Sequence, residues 1–185
     1  VEKTFYAVTQ DLVTSINDQQ ACEQDGGSPI SYFLDFSNAK EEVEILGVLY
    51  DKKILDAEDY YFDEDENQIF INDSFLNDLK YGENTLSIVT SNNNVNVKVI
   101  KANKFIRTPA DLASIGESVE ALNGYYILAN DIDLTSYLSF GGEGYNEGKG
   151  WNALGVYVET TDGTATANAF NGTFDGNGFT IKGLR

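Results

Sequence analysis

The chain has 185 residues, 42% of them hydrophobic and 12% aromatic, with 11 Tyr, 11 Phe and only 2 Pro, a composition that supports real cores and argues against disorder over most of its length. Acidic residues outnumber basic ones 30 to 12, for a net charge of −18 without a single His. That balance disfavours tracking of a nucleic-acid backbone and attachment to an anionic membrane, and leaves solubility, repulsion of like surfaces or weak cation binding.

The first stretch, TFYAVTQDLVTSI over residues 4–16, fits a strand or a helix, and a strand the better. CEQDGGS follows as a loop carrying Cys22, the single cysteine. One cysteine forms no internal disulfide, and without His there is no Cys/His zinc site and no partner for a thiol nucleophile. SPISYFLDF over 28–36 is apolar and aromatic enough for a buried strand. VEILGVLYDKKIL over 43–55 holds a strand, a turn at Asp51-Lys52-Lys53 and a return. In NQIFIND, Ile69 and Ile71 share one face and Phe70 takes the other. NDSFLNDLKYGEN makes a short helical corner with Phe75, Leu76 and Leu79 inward. NTLSIVTS alternates Leu86 and Ile88 with hydroxyl residues, and NVNVKVIK alternates Val95, Val97 and Val99 with Asn96 and Lys98. Short period-two runs separated by turns predict a β-sandwich.

The composition shifts near residues 101–109: 20 of the 30 acidic residues precede Ala102, and glycine becomes dense after Gly141. A boundary between residues 1–101 and 102–185 is expected there. Thr108 is a helix N-cap, Pro109 suits the first helical position and Asp111 the first turn. A helix over 108–123 follows, with Leu112 and Ile115 inward and Gly116 a breaker. GYYILANDIDLTSY predicts a strand, a bend at Asn130-Asp131 and a second strand. FGGEGYNEGKG is a glycine-rich loop, WNALGVYVETT a strand, DGTATAN a loop. FNGTFDGNGFTIKGL closes the chain, with Phe174, Phe179 and Ile181 apolar and bends at Asp175-Gly176-Asn177-Gly178 and Gly183.

The series ADLASI, LNGYYILANDIDLTSY, WNALGV and FNGTFDGNGFTIKGL resembles the opening segment of bacterial surface proteins that continue into right-handed parallel β-helix coils, often with GLUG-type repeats. The resemblance covers residues 108–184. Ala153-Leu154 departs from the Pro-Ile pair of that pattern, and the loop before Phe170 is longer. Residues 28–101 resemble a second family, the immunoglobulin-like CBM-X-type modules that accompany catalytic domains in bacterial extracellular enzymes. Leu55, Asp59, Tyr60, Ile69, Ile71, Leu76, Leu79, Gly82 and Leu86 carry that likeness. Together the resemblances imply a mainly β chain, an immunoglobulin-like β-sandwich followed by the helix-capped first coil or coils of a right-handed parallel β-helix. They also imply an extracellular or bacterial cell-surface location. No apolar run approaches the roughly 18 residues of a membrane helix. The sequence opens on Val1, lacks Met and stops inside a glycine-rich rung, so it is expected to be a piece of a longer protein.

The site candidates each compete with a plainer role. The acidic run DAEDYYFDEDEN lacks the glycine and terminal Glu of an EF-hand and reads as a solvated turn, with Asp59 satisfying local backbone N–H groups. Asp131 and Asp133, two apart, are weak calcium candidates or simply outward acids opposite Ile132 and Leu134. Thirty acids guarantee chance pairs, and no spacing singles out a glycosidase pair, so no catalytic residue is assigned. Tyr125, Tyr126, Tyr145, Trp151 and Tyr157 offer aromatic rings for a sugar platform. Trp151, Tyr157 and Tyr145 are the glycan-contact candidates; Trp151 otherwise caps the β-helix core. FGGEGYNEGKG lacks the Lys-Ser/Thr ending of a phosphate loop. The expected function is therefore non-enzymatic, a module serving adhesion, spacing or contact with a host or bacterial glycan or protein, without a cofactor. The alternative is a carbohydrate-binding accessory region of an extracellular polysaccharide-degrading enzyme, with any active site downstream.

Overall fold

The computed structural model describes residues 12–24, 29–39, 42–159 and 165–185, without the side chains of 156–159 and 165–167. The chain is mainly β and divides into two compact units, Val1–Lys101 and Ala102–Arg185.

In the first unit β1 (Thr14–Ser15), β3 (Ile30–Asp35), β7 (Gln68–Ile71) and β6 (Tyr60–Asp63) form one sheet in the order β1-β3-β7-β6. A second sheet runs β2-β9-β8-β4-β5, from β2 (Gln19–Glu23), β9 (Asn94–Ala102), β8 (Gly82–Thr90), β4 (Ile45–Tyr50) and β5 (Lys53–Ile54). The period-two residues do what alternation demands. Ile69 and Ile71 of β7, Leu86 and Ile88 of β8, and Val95, Val97 and Val99 of β9 are buried in one shared core with Tyr32. Tyr32 spans that core and donates its hydroxyl to the Lys98 carbonyl at 2.6 Å. Its burial, reinforced by nearby Cys22, drives ionisation of the phenol far above its ordinary range. The corner helix α1 (Asp73–Asp78) buries Leu76, and Leu79 closes it. Phe75 packs edge-on against Tyr50 at 5.6 Å. Asp51 and Lys52 both take positive φ, 48° and 66°, the conformation of a two-residue hairpin turn that ordinarily calls for Asn-Gly.

The second unit is built on parallel pairing. β10 (Lys104–Ile106), β11 (Tyr125–Leu128) and β15 (Thr173–Asp175) pair in that order, so that Lys104, Tyr126 and Phe174 fall on one rung. β12 (Ile132–Asp133) pairs in parallel with β16 (Ile181–Lys182). Inward residues stack from rung to rung into a core of Ile106, Leu128, Ile132 and Leu134, joined by Leu112 and Ile115 of the helical segment. Close approach of successive rungs explains Gly172: a Cβ there would lie 2.1 Å from the Gly124 carbonyl oxygen.

The helix α2 (Pro109–Ser114) starts as expected. Thr108 Oγ1 accepts the Asp111 N–H at 3.1 Å, and Asp111 Oδ2 accepts the Thr108 N–H at 2.9 Å, a capping box. Asp111 also accepts the Arg107 N–H and pairs with Lys104 Nζ at 2.9 Å. Burial pushes the Asp111 carboxyl up, but hydrogen bonds from Lys104, the Arg107 backbone and the Thr108 side chain, with the field of Lys104, outweigh it and bring it down to about 2.

Several expectations need correction. The helix does not run to residue 123; it stops before Gly116, and a separate 3-10 turn occupies Ala121–Asn123. Cys22 and Glu23 lie in β2, because pairing beside β9 recruits the polar QQACE segment that reads locally as the start of a loop. The strand expected from Trp151 begins at Gly155, as β13 (Gly155–Glu159). Part of DGTATAN is strand β14 (Ala165–Ala169), paired antiparallel with β13. Phe174 and Ile181 pack on the core, while Phe179 is exposed. Most of the 4–16 stretch lies outside the described residues; Thr14 and Ser15 at its end are strand. Cys22 is half-buried against the core, and burial pushes its thiol up despite the opposing field of Lys101.

Candidate functional site

The segment after β12 carries Tyr137, Phe140, Tyr145 and Trp151. Buried Leu134 anchors it, and the Leu138 N–H returns to the Leu134 carbonyl at 2.9 Å. This turn sets Tyr137 and Leu138 against the core edge. The glycine-rich loop then folds back: the Gly144 N–H donates to the Tyr137 carbonyl at 3.0 Å. A Cβ at Gly144 would lie 2.0 Å from the Tyr137 ring, so glycine lets the loop lie flat on that ring. Asn146 bridges to Asn152 at 2.6 Å, and the Trp151 N–H reaches the Arg185 carbonyl at 2.9 Å. Trp151 is thereby held half-buried with its ring 6.2 Å from that of Tyr137, tilted by 40°.

These residues border a cleft of about 550 Å³. Tyr137, Trp151 and Leu154 give it apolar walls, Ala113 and Gly116 come from the helical segment, and Glu117 and Asn152 are among its polar groups. Burial, and then the fields of Glu143 and Glu117, push the Tyr137 phenol up, so its O–H stays a donor over a wide pH range. Aromatic rings beside an amide and, among the described residues, one carboxylate suit an amphipathic ligand. Outside the cleft, Phe140 stands on the loop, 89% exposed, with its ring 5.4 Å from that of Tyr145, which is 39% exposed.

The three glycan-contact candidates are thus not one platform. Trp151 lines the cleft; Tyr145 pairs with Phe140 on the loop. Tyr157 lies in β13 opposite Ala167, and its side chain is outside the described residues. Of the further aromatics, Tyr126 is buried in the core and donates its hydroxyl to the Ala121 carbonyl at 2.6 Å. Tyr137 and Phe140 went unnoticed in the sequence. Their signal was position, since both precede a glycine run that must turn sharply back over its neighbours.

The acidic candidates are occupied by the backbone. Asp131 Oδ1 accepts the Thr180 N–H at 2.8 Å, and Asp133 Oδ1 accepts the Thr135 N–H at 2.8 Å. Hydrogen bonding from Thr135 holds the Asp133 carboxyl below its ordinary range. Asp59 Oδ2 accepts the Asp56 N–H at 3.2 Å. Among the described residues no group of three or more His, Cys, Asp or Glu is placed to hold a metal ion, and no helix is long and apolar enough to cross a membrane.

No protein-family model matches the sequence, and no curated protein matches it. Two solved structures of a tri-modular GH5 (subfamily 4) endo-beta-1,4-glucanase from Bacillus licheniformis are similar to part of it. The cellotetraose complex aligns over 52% of this chain with 13% identity and a TM-score of 0.40. The other structure of that enzyme aligns over 52% with 14% identity and a TM-score of 0.38. In both, the aligned part spans 20% of the glucanase chain.

Proposed function

We propose that this chain is a non-enzymatic module of a bacterial cell-surface or secreted protein that contacts glycan through the Trp151 cleft. The observation that carries the proposal is the cleft itself, in which Trp151 and Tyr137 form an apolar wall beside Asn152 and Glu117. A sugar ring has the matching chemistry, apolar C–H groups on its faces and hydroxyls at its rim. Among the described residues Glu117 is the single carboxylate of the cleft lining, whereas glycoside hydrolysis ordinarily uses two carboxyl groups flanking the bond.

In this proposal the first unit is an immunoglobulin-like β-sandwich, supported by two sheets, built largely of antiparallel pairs, around one core. The second is the cap and first coils of a right-handed parallel β-helix. The in-register rungs Lys104–Tyr126–Phe174 and Ile132–Ile181 support it, as does α2 packing Leu112 into the stack.

The test is a glycan array probed with the whole chain. Specific binding is expected, weakened at least about tenfold, or about 1.4 kcal/mol, by Trp151→Ala and largely retained by Trp151→Phe. Binding indifferent to Trp151→Ala defeats the cleft, and turnover of a polysaccharide by the chain defeats the non-enzymatic assignment.

A further inference from the structure

The outer face of the four-stranded sheet in the first unit carries a second concentration of aromatic surface. On that face Ser31, Phe70 and Tyr61 lie on one cross-strand row, and Phe33, Gln68 and Asp63 on the next. Consecutive same-face residues of a strand are about 6.6 Å apart, so the two rows make one continuous patch. The rings of Tyr61 and Phe70 stack at 4.5 Å with 5° between their planes. Phe70 therefore covers one face of the Tyr61 ring. Tyr61 sits on β6, the last strand of the sheet, and is 50% exposed; Phe33 is 40% exposed.

The patch is rigidly built. Asn17 Oδ1 accepts the Phe33 N–H at 2.7 Å, and Asn17 Nδ2 donates to the Ser31 carbonyl at 3.0 Å. Gln68 Nε2 donates to Ser31 Oγ at 2.5 Å, tying the amide of the second row to the first. Rings held on paired strands lose little freedom on binding, which favours their use as a recognition surface.

We infer that this sheet face is a second glycan-binding surface, taking an uncharged polysaccharide that stacks on Tyr61 and crosses toward Phe33. It lies in the other unit from the Trp151 cleft and does not depend on it. The occupant follows from the chemistry of the face. Its centre is aromatic rings, a hydroxyl and an amide, which match the apolar faces and hydroxyl rim of a sugar. Among the described residues its charged groups are the carboxylates Asp35 and Asp63, which repel an anionic polymer on a chain of net charge −18. Each has Oδ1 engaged by backbone: Asp35 by the Ser37 N–H at 2.8 Å, Asp63 by the Asp65 and Glu66 N–H groups, both at 3.1 Å. A carboxylate has about four lone-pair sites, so each can accept further hydrogen bonds from sugar hydroxyls.

The experiment measures retention of the whole chain on immobilised arabinoxylan, galactomannan and hydroxyethyl cellulose, with polygalacturonate as the anionic comparison, at low and high salt. The expected result is retention on an uncharged polymer, insensitive to salt, and weaker on polygalacturonate. Tyr61→Ala should weaken it at least about tenfold, Tyr61→Phe should preserve it, and Trp151→Ala should leave this component in place. Phe33→Ala, checked for an unchanged thermal midpoint, carries the same expectation should Tyr61→Ala unfold. Absence of retention on all three uncharged polymers overturns the inference, as does retention unaffected by Tyr61→Ala and Phe33→Ala. Loss in Trp151→Ala alone overturns it while sustaining the cleft. Retention abolished by salt marks an electrostatic contact rather than ring stacking and overturns it too, as does self-association abolished by Tyr61→Ala.

Discussion

The two units solve the problem of burying a sheet face in opposite ways. In the first, antiparallel strands bring side chains from two sheets into one core, where Tyr32, Val48, Ile69, Ile71, Leu86, Ile88, Val97 and Val99 are all fully buried. In the second, parallel strands stack, and each rung supplies one or two inward residues to a column. Burial falls along that column: Tyr126 is buried, while Phe174 on the next strand is only half-buried. The two-sheet core closes on itself. The stacked core is closed at the end where α2 packs and is more open at β15 and β16.

The largest expected effects test that contrast directly. Leu86→Ala in the two-sheet core should cost about 2–5 kcal/mol of stability, because a fully buried side chain leaves both lost transfer energy and a cavity. Phe174→Ala removes a larger side chain yet should cost only about 1–2 kcal/mol, since part of that side chain already meets water. Urea unfolding of the two variants checks the order; a greater loss for Phe174→Ala would show that the outer strand is as consolidated as the two-sheet core.

A smaller effect concerns the cap of the stacked unit. Asp111→Asn should cost about 1 kcal/mol at neutral pH by weakening the capping box and the Lys104 pair. The folded-state carboxyl of Asp111 is depressed to about 2, so its contribution is complete above the ordinary carboxylate range near 3.8 and is lost as pH falls through about 2. Thermal midpoints of wild type and variant should therefore differ at pH 6 and converge toward pH 2. A constant gap would assign the loss to packing instead.

The smallest effect lies in the antiparallel unit. Lys52 holds φ at 66° in a hairpin turn, a strain that glycine relieves. Lys52→Gly should raise stability by about 0.5 kcal/mol, since glycine's added freedom in the unfolded chain offsets part of the gain. A fall in the thermal midpoint would show that the side chain contributes more than the strain costs.

Local chemistry made much of this legible. Ile69 and Ile71 inward with Phe70 outward follows from alternation alone, as do the three valines of β9. Thr108, Pro109 and Asp111 announced a helix start whose hydrogen bonds span three residues. The last turn was half legible: Asn177 and Gly178 take the positive φ, and Gly176 does not. Asn177 is held there by its N–H on Asp175 Oδ1 and by its amide on the Leu128 carbonyl. The candidate site was harder to see. Trp151 was found as an aromatic beside a glycine run, but its neighbour Tyr137 comes from 14 residues earlier in the chain.

What the sequence by itself determined is whatever depends on neighbours within a turn or a strand: period-two burial, the capped start of α2, the bends at glycine. What only the tertiary structure decided is which segments pair and which aromatic rings remain open. QQACE and ATANA carry weak strand signals and become strands because β9 and β13 lie beside them. Tyr126 and Tyr61 are alike as residues, yet one is sealed in a stack and the other stands at a sheet edge. Exposure is a property of long-range contacts, and those are set by chain segments far apart in sequence.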